Sequence, residues 1–320
     1  MLDDKILNFF KHCKDGYVSG EDLSDALDIS RTAVWKHIEK LREEGYDIMA
    51  SPHLGYRLVS VPDRLTEVEI KWQLKTDIIA RRVYYYKETD STNDVANKLA
   101  ASGEPEGAIV IAEYQAKGRG RLGRKWISPR GKGCYLSIIL RPDILPKEVS
   151  RITLLASLSA AKTIRETVNL PALIKWPNDI MINNRKTSGI LIEMNGEIDK
   201  VNFVVVGIGI NINTKKELLP EGATSLREEK KEEVPRLEFV RALLRNFEKY
   251  YKIFNKGRIG EIVKEYKQLS AILDRELEVN YHNRVISGRA IDVDNEGALI
   301  LRMDSGFHER VLAGDVVMLR

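Results

Sequence analysis

Residues 118–126 read Gly-Arg-Gly-Arg-Leu-Gly-Arg-Lys-Trp, and this stretch is the strongest single indication of what the middle of the chain does. Three glycines and four basic residues in nine positions suit neither a stable helix nor a stable strand, so we predict a loop. Glycines let backbone N–H groups approach a ligand, arginines bind phosphate or carboxylate, and Trp126 offers a flat face for a base. The loop therefore predicts an anion site for a nucleotide or an acyl phosphate. Taken alone, it also fits an RNA-tethering Arg/Gly segment or a solvated loop.

Length and composition favour a multidomain protein with local rather than overall basic character. The chain has 320 residues, is 43% hydrophobic and carries a net charge of +4, so any nucleic-acid contact must come from clustered cations. The only two cysteines, Cys13 and Cys134, are far apart, which disfavours a disulfide framework and a zinc site. The acidic N-terminus lacks a signal core, and no apolar stretch is long enough to span a bilayer. We expect a reduced, cytoplasmic protein that does not bind membranes.

The first 64 residues are predicted to form a winged helix-turn-helix domain. Ser19 and Ser30 each precede a short amphipathic pattern and have the residue type of a helix N-cap. The second helix is expected to end at Gly45. Its apolar stripe consists of Val34, Ile38 and Leu41. Short alternating strands at 48–50 and 56–59 follow, which is typical of a wing behind a helix pair.

Charge in this region is concentrated rather than abundant. Residues 1–60 contain eight Lys or Arg against eleven Asp or Glu, so the domain is net acidic. Its basic side chains nevertheless gather on the second helix and the wing, where they could contact phosphates and base edges in a major groove. The predicted DNA-binding residues are Arg31, Thr32, Lys36, His37, Lys40 and Arg57. The alternative is a helix pair that docks another protein.

Residues 65–270 are predicted to be an α/β domain built on a mixed sheet, after a linker around Pro62. Strand-like runs lie at 83–86, 108–112, 134–140, 173–175, 190–194 and 203–210, with helices near 92–101, 150–168 and 236–254. Asn195-Gly196 predicts a hairpin between the last two strands. No glycine segment meets the dinucleotide fingerprint, and no P-loop is present. Nucleotide binding must therefore use another architecture.

Residues 271–320 are predicted to form a small SH3-like β-barrel. Strand-like runs lie at 277–281, 285–292, 298–303 and 311–319, with turns at 282–283, 295–297 and 304–306. No residue in this region indicates a chemical role, and the alternative is a domain that only packs against the catalytic domain.

Four segments together carry a family resemblance. Besides 118–126 they are Ile-Lys-Trp-Pro-Asn-Asp-Ile at 174–180, Asn-Arg-Lys-Thr-Ser-Gly-Ile-Leu-Ile-Glu at 184–193 and Val-Val-Val-Gly-Ile-Gly-Ile-Asn-Ile-Asn at 204–213. In this order they resemble the biotin protein ligases. With the helix-turn-helix region, essentially the whole chain resembles the bifunctional biotin ligases that also repress the biotin operon. The chain departs from some relatives at Leu122, where they have a fourth arginine.

The resemblance implies a reaction that joins biotin to a lysine through an acyl adenylate. The biotin carboxylate is then the nucleophile, which agrees with the absence of a convincing catalytic triad among the five scattered histidines. The enzyme must bring two anions together and stabilise charge on phosphoryl oxygens. The cations available for this are Arg119, Arg121, Arg124, Lys175 and Lys186, of which Lys175, Lys186 and Arg121 are predicted to be catalytic. Mg²⁺ would assist, with Asp179 as its possible ligand; a ribose contact or a structural role for Asp179 is equally open.

Binding residues also follow from the resemblance. Those predicted to bind biotin are Ser91, Thr92, Asn93, Gln115, Arg119, Arg121 and Lys186. Those predicted to bind ATP are Arg121, Arg124, Trp126, Lys175, Asn178, Asp179 and Asn211, with Trp126 stacking on adenine. Core packing is the alternative for Trp126 and Trp176, and a helix N-cap is the alternative for 91–93.

We therefore predict an ATP-dependent biotin protein ligase that also acts as a biotin-responsive repressor. Its expected partners are a biotin carboxyl carrier domain of a carboxylase, operator DNA, and a second copy in a homodimer promoted by biotinyl-5′-AMP. The 118–126 loop is expected to be poorly ordered until ligand binds and to shield the adenylate from water. The alternatives are a ligand-sensing regulator without ligase activity and a lipoate-type ligase.

Overall fold

The chain divides into two compact units, Met1–Gln73 and Leu74–Arg320. A computed structural model describes residues 2–13, 16–281 and 284–318. The first unit continues past Arg64, where sequence patterns place the end of the DNA-binding domain, to Gln73. The second unit contains both the predicted central and C-terminal domains. Within the described ranges, no helix combines the length and apolar character needed to cross a bilayer.

The first unit is a winged helix-turn-helix fold, as predicted. Its elements are α1 (Leu2–His12), α2 (Gly20–Leu27), α3 (Arg31–Glu43), β1 (Asp47–Ser51), β2 (Gly55–Ser60) and α4 (Glu67–Lys71). The Ser19 hydroxyl accepts from Asp22 N at 2.9 Å and the Ser30 hydroxyl from Ala33 N at 3.2 Å, so both predicted N-caps are confirmed. The antiparallel pair β1–β2 forms the wing.

Helix α1 completes the core of this unit and was not predicted. Its Ile6, Leu7 and Phe10 are buried in one cluster with Val34, Ile38 and Leu41 of α3. An ion pair of 2.6 Å between Lys11 Nζ and Glu69 Oε2 also joins α1 to α4. The helix-turn-helix pair is therefore a three-helix core that the α2 and α3 patterns alone do not reveal.

A mixed sheet forms the centre of the second unit, as predicted. Its elements are β3 (Val83–Tyr86), α5 (Thr92–Ala101), β4 (Ile109–Ala112), β5 (Gly133–Leu140), α6 (Ser150–Val168), β6 (Leu173–Lys175), β7 (Asp179–Ile182), β8 (Arg185–Gly196), β9 (Val201–Asn211), α7 (Leu226–Lys230), α8 (Arg236–Asn255) and α9 (Ile259–Gln268). Within residues 74–281 the strand order is β3-β4-β5-β9-β8-β7-β6, with β3–β4 parallel and the other pairs antiparallel. The long hairpin β8–β9 runs through the middle of the sheet. It carries two of the four sequence segments.

Some details of this domain differ from prediction. The hairpin expected at Asn195-Gly196 exists, but both residues are still paired with β9 and the turn lies at 197–200. Strand β7 and helix α9 were not predicted, and β8 begins at Arg185 rather than Ile190.

The C-terminal part of the second unit is an antiparallel sheet, as expected for a small β domain. Its strands are β10 (Glu276–Tyr281), β11 (Arg284–Val293), β12 (Leu299–Arg302), β13 (His308–Val311) and β14 (Asp315–Met318), in the order β13-β12-β11-β10-β14. The single strand predicted over 311–319 is wrong, because β13 ends at Val311 and β14 starts at Asp315. The turn predicted at 282–283 and Leu319 lie outside the described residues.

Hydrogen bonds from Trp176 and Ser150 help to attach this sheet to the central domain. The Trp176 indole N–H donates to Gly297 O at 2.9 Å, and the Ser150 hydroxyl donates to Glu296 O. Trp176 follows β6, is only 1% exposed and precedes a cis peptide bond to Pro177. Its packing role, the alternative to ligand stacking, is what the structure displays.

Candidate functional site

The predicted ligand-binding residues converge on one cleft in the second unit. The cleft lies among the 118–126 loop, the start of α5 and strands β8 and β9. Its lining includes Ser91, Thr92, Asn93, Gln115, Arg119, Arg121, Arg124, Trp126, Asn178, Asp179, Lys186 and Asn211. Lys175, at the end of β6, is the one predicted ligand-binding residue that is not among the described lining residues.

One end of the cleft is polar, uncharged and internally hydrogen-bonded. Gln115 Oε1 accepts from Thr92 N at 2.8 Å and from Thr92 Oγ1 at 3.0 Å. Gln115 Nε2 donates to Ser128 Oγ at 2.9 Å. Ser91 occupies the N-cap position of α5, but its side chain makes no capping bond. Such a fixed set of neutral donors and acceptors suits a neutral polar ligand group.

Two glycines of β9 permit the close packing in this cleft. A Cβ on Gly207 would lie 2.3 Å from Asn93 Oδ1, and one on Gly209 would lie 2.6 Å from Trp126 Cε2. Any side chain at these positions would displace Asn93 or the indole. The close packing against Asn93 and Trp126 therefore explains why residues 207 and 209 of the 204–213 segment are glycines.

The 118–126 loop folds back on itself over the cleft. Trp126 N donates to Gly118 O at 2.8 Å, and Gly120 N donates to Arg124 O at 2.7 Å. At the tip, Leu122 adopts a left-handed conformation with φ 56° and is 78% exposed. Residue 122 therefore points to solvent, so the leucine found there does not line the cleft.

Three cations of the cleft are held by groups that an anionic ligand could replace. Lys186 Nζ is 2.6 Å from Asp179 Oδ1 and lies 5.8 Å from the centre of the Trp126 ring. Arg121 Nη1 donates to Asn178 Oδ1 at 3.1 Å and to Gly314 O at 3.2 Å. Arg124 pairs with Asp315 of β14. The positive groups required for phosphate chemistry are thus assembled from two parts of the chain, the 118–126 loop and β8, and their present partners come from 178–179 and 314–315.

Arg119 differs from the other loop arginines. Its guanidinium donates to both carboxylate oxygens of Asp94 and, at 3.0 Å, to Glu193 Oε1. The bond to Asp94, opposed by burial and assisted by Glu193, raises the pKa of Arg119 above its usual value. Sequence reasoning missed Asp94, Glu193 and Asp315. Their signal was weak: an acidic residue directly after 91–93, another at the end of the 184–193 segment, and a third in a region without motifs.

Two further asparagines of the cleft donate to backbone carbonyls. Asn178 Nδ2 donates to Ile190 O at 2.7 Å, and Asn211 Nδ2 donates to Thr224 O at 3.1 Å. The Trp126 indole N–H is buried and has no hydrogen-bond partner among the residues that the structure describes. Among the described residues, no group of three or more His, Cys, Asp or Glu side chains is placed to hold a metal ion.

The predicted DNA-binding residues lie on α3 and the wing, but several are already paired. Asp3 of α1 accepts from His37 Nδ1 at 2.7 Å and from Lys40 Nζ at 2.5 Å. Arg31 pairs with Glu21, and the Arg57 guanidinium carbon lies 5.8 Å from the centre of the Tyr17 ring. Thr32 and Lys36 are exposed on the face of α3 opposite the core, beside Trp35, which is 51% exposed.

Comparison with known proteins agrees with both parts of the chain. Residues 4–57 match the model of an HTH domain, residues 85–211 that of the biotin/lipoate A/B protein ligase family, and residues 272–319 that of the biotin protein ligase C terminal domain. The chain is 38% identical over 315 residues, 97% of each chain, to the bifunctional ligase/repressor BirA of Bacillus subtilis (strain 168). It is 31% identical over 290 residues, 89% of this chain and 88% of the relative, to the protein of that name from Escherichia coli (strain K12).

A solved structure extends the likeness to three dimensions. The biotin protein ligase from Aquifex aeolicus in complex with biotin and ATP is 28% identical, with a TM-score of 0.65, over 75% of this chain and 99% of that one. Ligase segments, a helix-turn-helix unit and the matching C-terminal sheet thus occur together in one chain, over nearly the full length of its relatives. The chain belongs to the bifunctional ligase/repressor family of biotin protein ligases.

Proposed function

We propose that this protein activates biotin with ATP, transfers it to a lysine of a biotin carboxyl carrier domain, and represses transcription through its first unit. The observation that carries the proposal is the cleft itself. It has a neutral polar end at Thr92 and Gln115 and a cationic end at Lys186, Arg121 and Arg124. Biotin has the same two-ended character, with a neutral ureido ring and a carboxylate.

The neutral end is assigned to the ureido ring. Ser91, Thr92, Asn93 and Gln115 would meet its N–H and C=O groups, and the Arg119 backbone would close that end. Ser91, Thr92 and Asn93 are buried and Gln115 is half-buried and hydrogen-bonded, so their orientation is fixed before ligand arrives, which reduces the entropic cost of binding.

The cationic end is assigned to adenylate formation. A biotin carboxylate oxygen attacks the α-phosphorus of ATP, a P–O bond forms, and pyrophosphate leaves. Lys186 would offset the repulsion between the carboxylate and the phosphate, while Arg121 and Arg124 would exchange Gly314 O and Asp315 for phosphoryl oxygens. In the second step the acceptor lysine amine attacks the acyl carbon, AMP leaves, and the amine gives up a proton.

The nucleotide would lie beside the Trp126 ring. Trp126 is assigned to stack on adenine, and Asn211, Asn178 and Lys175 are assigned to the nucleotide on the strength of the family resemblance. Mg²⁺ is often held by one or two carboxylates together with substrate phosphates, and the carboxylate of Asp179, which lines the cleft together with that of Asp315, fits this pattern. When bound, Mg²⁺ would neutralise charge on the leaving pyrophosphate. A ribose contact is the competing role for Asp179.

The first unit is assigned to operator DNA. Lys36 and Thr32 lie on the exposed face of α3, which is the helix that enters the major groove in this fold. Arg57 would contact the backbone from the wing. A homodimer promoted by biotinyl-5′-AMP would present two such helices to a palindromic site, and its dissociation would let the carrier domain dock. A cytoplasmic location stays a prediction.

Pyrophosphate exchange tests the ligase function. The full chain should exchange labelled pyrophosphate into ATP with biotin, and much more slowly with lipoate or octanoate. Faster exchange with lipoate would support a lipoate-type ligase instead. If none of the three acids supports exchange, the result would support a ligand-sensing regulator without ligase activity.

Operator binding tests the repressor function. Affinity of the full chain for its operator, measured with biotin and ATP present, should fall steeply with salt, because phosphate contacts release counterions. A salt slope near zero would exclude the assigned phosphate contacts.

A further inference from the structure

Glu193 connects three elements of the cleft at one carboxylate. Its Oε2 accepts from Asn93 Nδ2 at 3.0 Å and from Asn97 Nδ2 at 2.8 Å, and its Oε1 accepts from Arg119 Nη2 at 3.0 Å. Asn93 belongs to the cleft lining at the start of α5, and Arg119 begins the loop that covers the cleft. Glu193 itself does not line the cleft but lies behind it, on β8.

The bond to Glu193 fixes which way the Asn93 amide points. Asn93 Oδ1 accepts from Ser137 Oγ at 2.6 Å, so its nitrogen is the atom that faces Glu193. A charged carboxylate accepts only, which disfavours the flipped amide. Since Asn93 also packs directly on Gly207, its position is fixed on both sides.

The same carboxylate helps to hold the loop. Asp94 accepts from Arg119 Nη1 at 2.8 Å and also from Nη2, so Asp94 and Glu193 together occupy the guanidinium. Two carboxylates around one guanidinium leave a local charge of about −1, which repels a phosphate instead of attracting it. Arg119 therefore cannot serve the nucleotide in the way open to Arg121, Arg124 and Lys186.

We propose that Arg119 anchors the loop and that Glu193 and Asp94 are positioning residues, which couple closure of the loop to the biotin-facing amide of Asn93. The proposal rests on the biotin ligase function for its ligand. In this proposal Arg119 does not bind phosphate, and Glu193, the last residue of the 184–193 segment, has a positioning role.

The test compares Glu193→Gln with Glu197→Gln. The first keeps the size of the side chain but loses the charge that Arg119 and Asn93 share. The second changes an exposed glutamate in the turn of the same hairpin and serves as the matched control. Three quantities are measured on the full chain: KM for biotin against KM for ATP, the dissociation rate of bound biotinyl-5′-AMP, and the rate of chymotryptic cleavage after Leu122 without ligand.

Without ligand, chymotrypsin should cleave the Glu193→Gln variant after Leu122 about five-fold faster than the wild type. The variant should also release biotinyl-5′-AMP about five-fold faster and have a KM for biotin about five-fold higher. KM for ATP should change less than two-fold, and Glu197→Gln should match the wild type. Glu193 holds the loop through Arg119, so the double variant Arg119→Gln plus Glu193→Gln should be cleaved no faster after Leu122 than Arg119→Gln alone. If Glu193→Gln does not fold, Asp94→Asn on the surface of α5 should reproduce the faster cleavage and adenylate release.

A rise in KM for ATP without one for biotin would return Arg119 to phosphate binding and overturn the proposal. The proposal would also be overturned by unchanged cleavage of Glu193→Gln, or by additive increases in cleavage in the double variant. Failure of the ligase function is separately visible, because the wild type would then form no adenylate while cleavage of the ligand-free loop still reports on the anchor.

Discussion

The cleft and helix α3 both present basic side chains, yet their pairing differs. In the cleft, Lys186 and Arg124 are held by Asp179 and Asp315, whose carboxylates lie beside the space a ligand would fill. On α3, His37 and Lys40 are held by Asp3 of α1, which joins two helices of the core. Pairing of Lys186 and Arg124 leaves them able to exchange a carboxylate for a ligand phosphate, whereas the pairs of His37 and Lys40 with Asp3 stabilise the fold. A basic residue is therefore judged better by its partner than by its spacing.

Removing the central cation of the cleft should have the largest effect. Lys186→Ala is expected to slow adenylate formation by about 10²- to 10³-fold, the usual result of deleting a charged stabiliser of a phosphoryl or oxyanion transition state. Pyrophosphate exchange with biotin measures it. Lys200→Ala, in the β8–β9 turn, is the control and should retain full activity. A loss below ten-fold for Lys186→Ala would mean that the cleft cations are as dispensable as those of a solvated surface.

Removing Arg121 should affect retention of the intermediate more than its formation. Arg121→Gly is expected to release biotinyl-5′-AMP about 10- to 100-fold faster and to loosen acceptor specificity, because a charge-assisted contact at the loop tip is lost. Dissociation of labelled adenylate measures the first effect and labelling of an unrelated protein the second. Arg130→Ala, outside the cleft lining, provides the comparison. An unchanged dissociation rate of biotinyl-5′-AMP would contradict the proposal that Arg121 exchanges its present partners for phosphoryl oxygens.

On α3, the comparison predicts that Lys36 and Lys40 contribute unequally to operator affinity. Lys36→Ala should lower operator affinity about ten-fold near 0.1 M salt and reduce the salt slope by about 0.9, as expected for one phosphate contact. Lys40→Ala should lower affinity less, because Lys40 is already paired with Asp3. Equal losses for the two variants would show that pairing within the fold does not decide availability for DNA.

The Asp3 cluster should show its role as a small, pH-dependent stability term. Burial raises the pKa of Asp3, but hydrogen bonds from Lys40 and His37 outweigh it and hold the pKa below its ordinary value of 3.8. The stabilisation is therefore present above pH 3.8 and is lost as the pH falls through the lower, folded value. Asp3→Asn should cost less than about 1 kcal/mol at pH 7, because the Lys40 partner is 52% exposed and water screens its charge, and it should cost less again near pH 3. The cost is measured as the change in the free energy of unfolding in urea, with hydrogen exchange of α3 amides as the probe of unfolding. An equal cost at both pH values would assign the loss to packing.

Local sequence predicted what local physics determines. The N-caps Ser19 and Ser30, the buried stripe of α3 and the 118–126 loop follow from neighbouring residues, and the structure has them. Helix α1 was missed because Met1, which precedes Leu2, is not a capping residue type. Strand β7 was missed because its four residues, which lie between Pro177 and the left-handed Asn183-Asn184 turn, carry little pattern. Partners such as Arg119 and Glu193 are 74 residues apart in the chain, so no spacing rule reports them.

The hydrogen bond from Trp176 to Gly297 bears on how shortened versions of this protein should be interpreted. Trp176 lies between Lys175 and Asn178, two residues that we propose bind the nucleotide, and its indole N–H is satisfied by a carbonyl from the last sheet. Cutting the chain near residue 271 would strand that donor inside the core and open a face beside the cleft. Loss of activity in such a fragment would thus report collapse of the core around Trp176, and it would not show that the last sheet contacts a substrate.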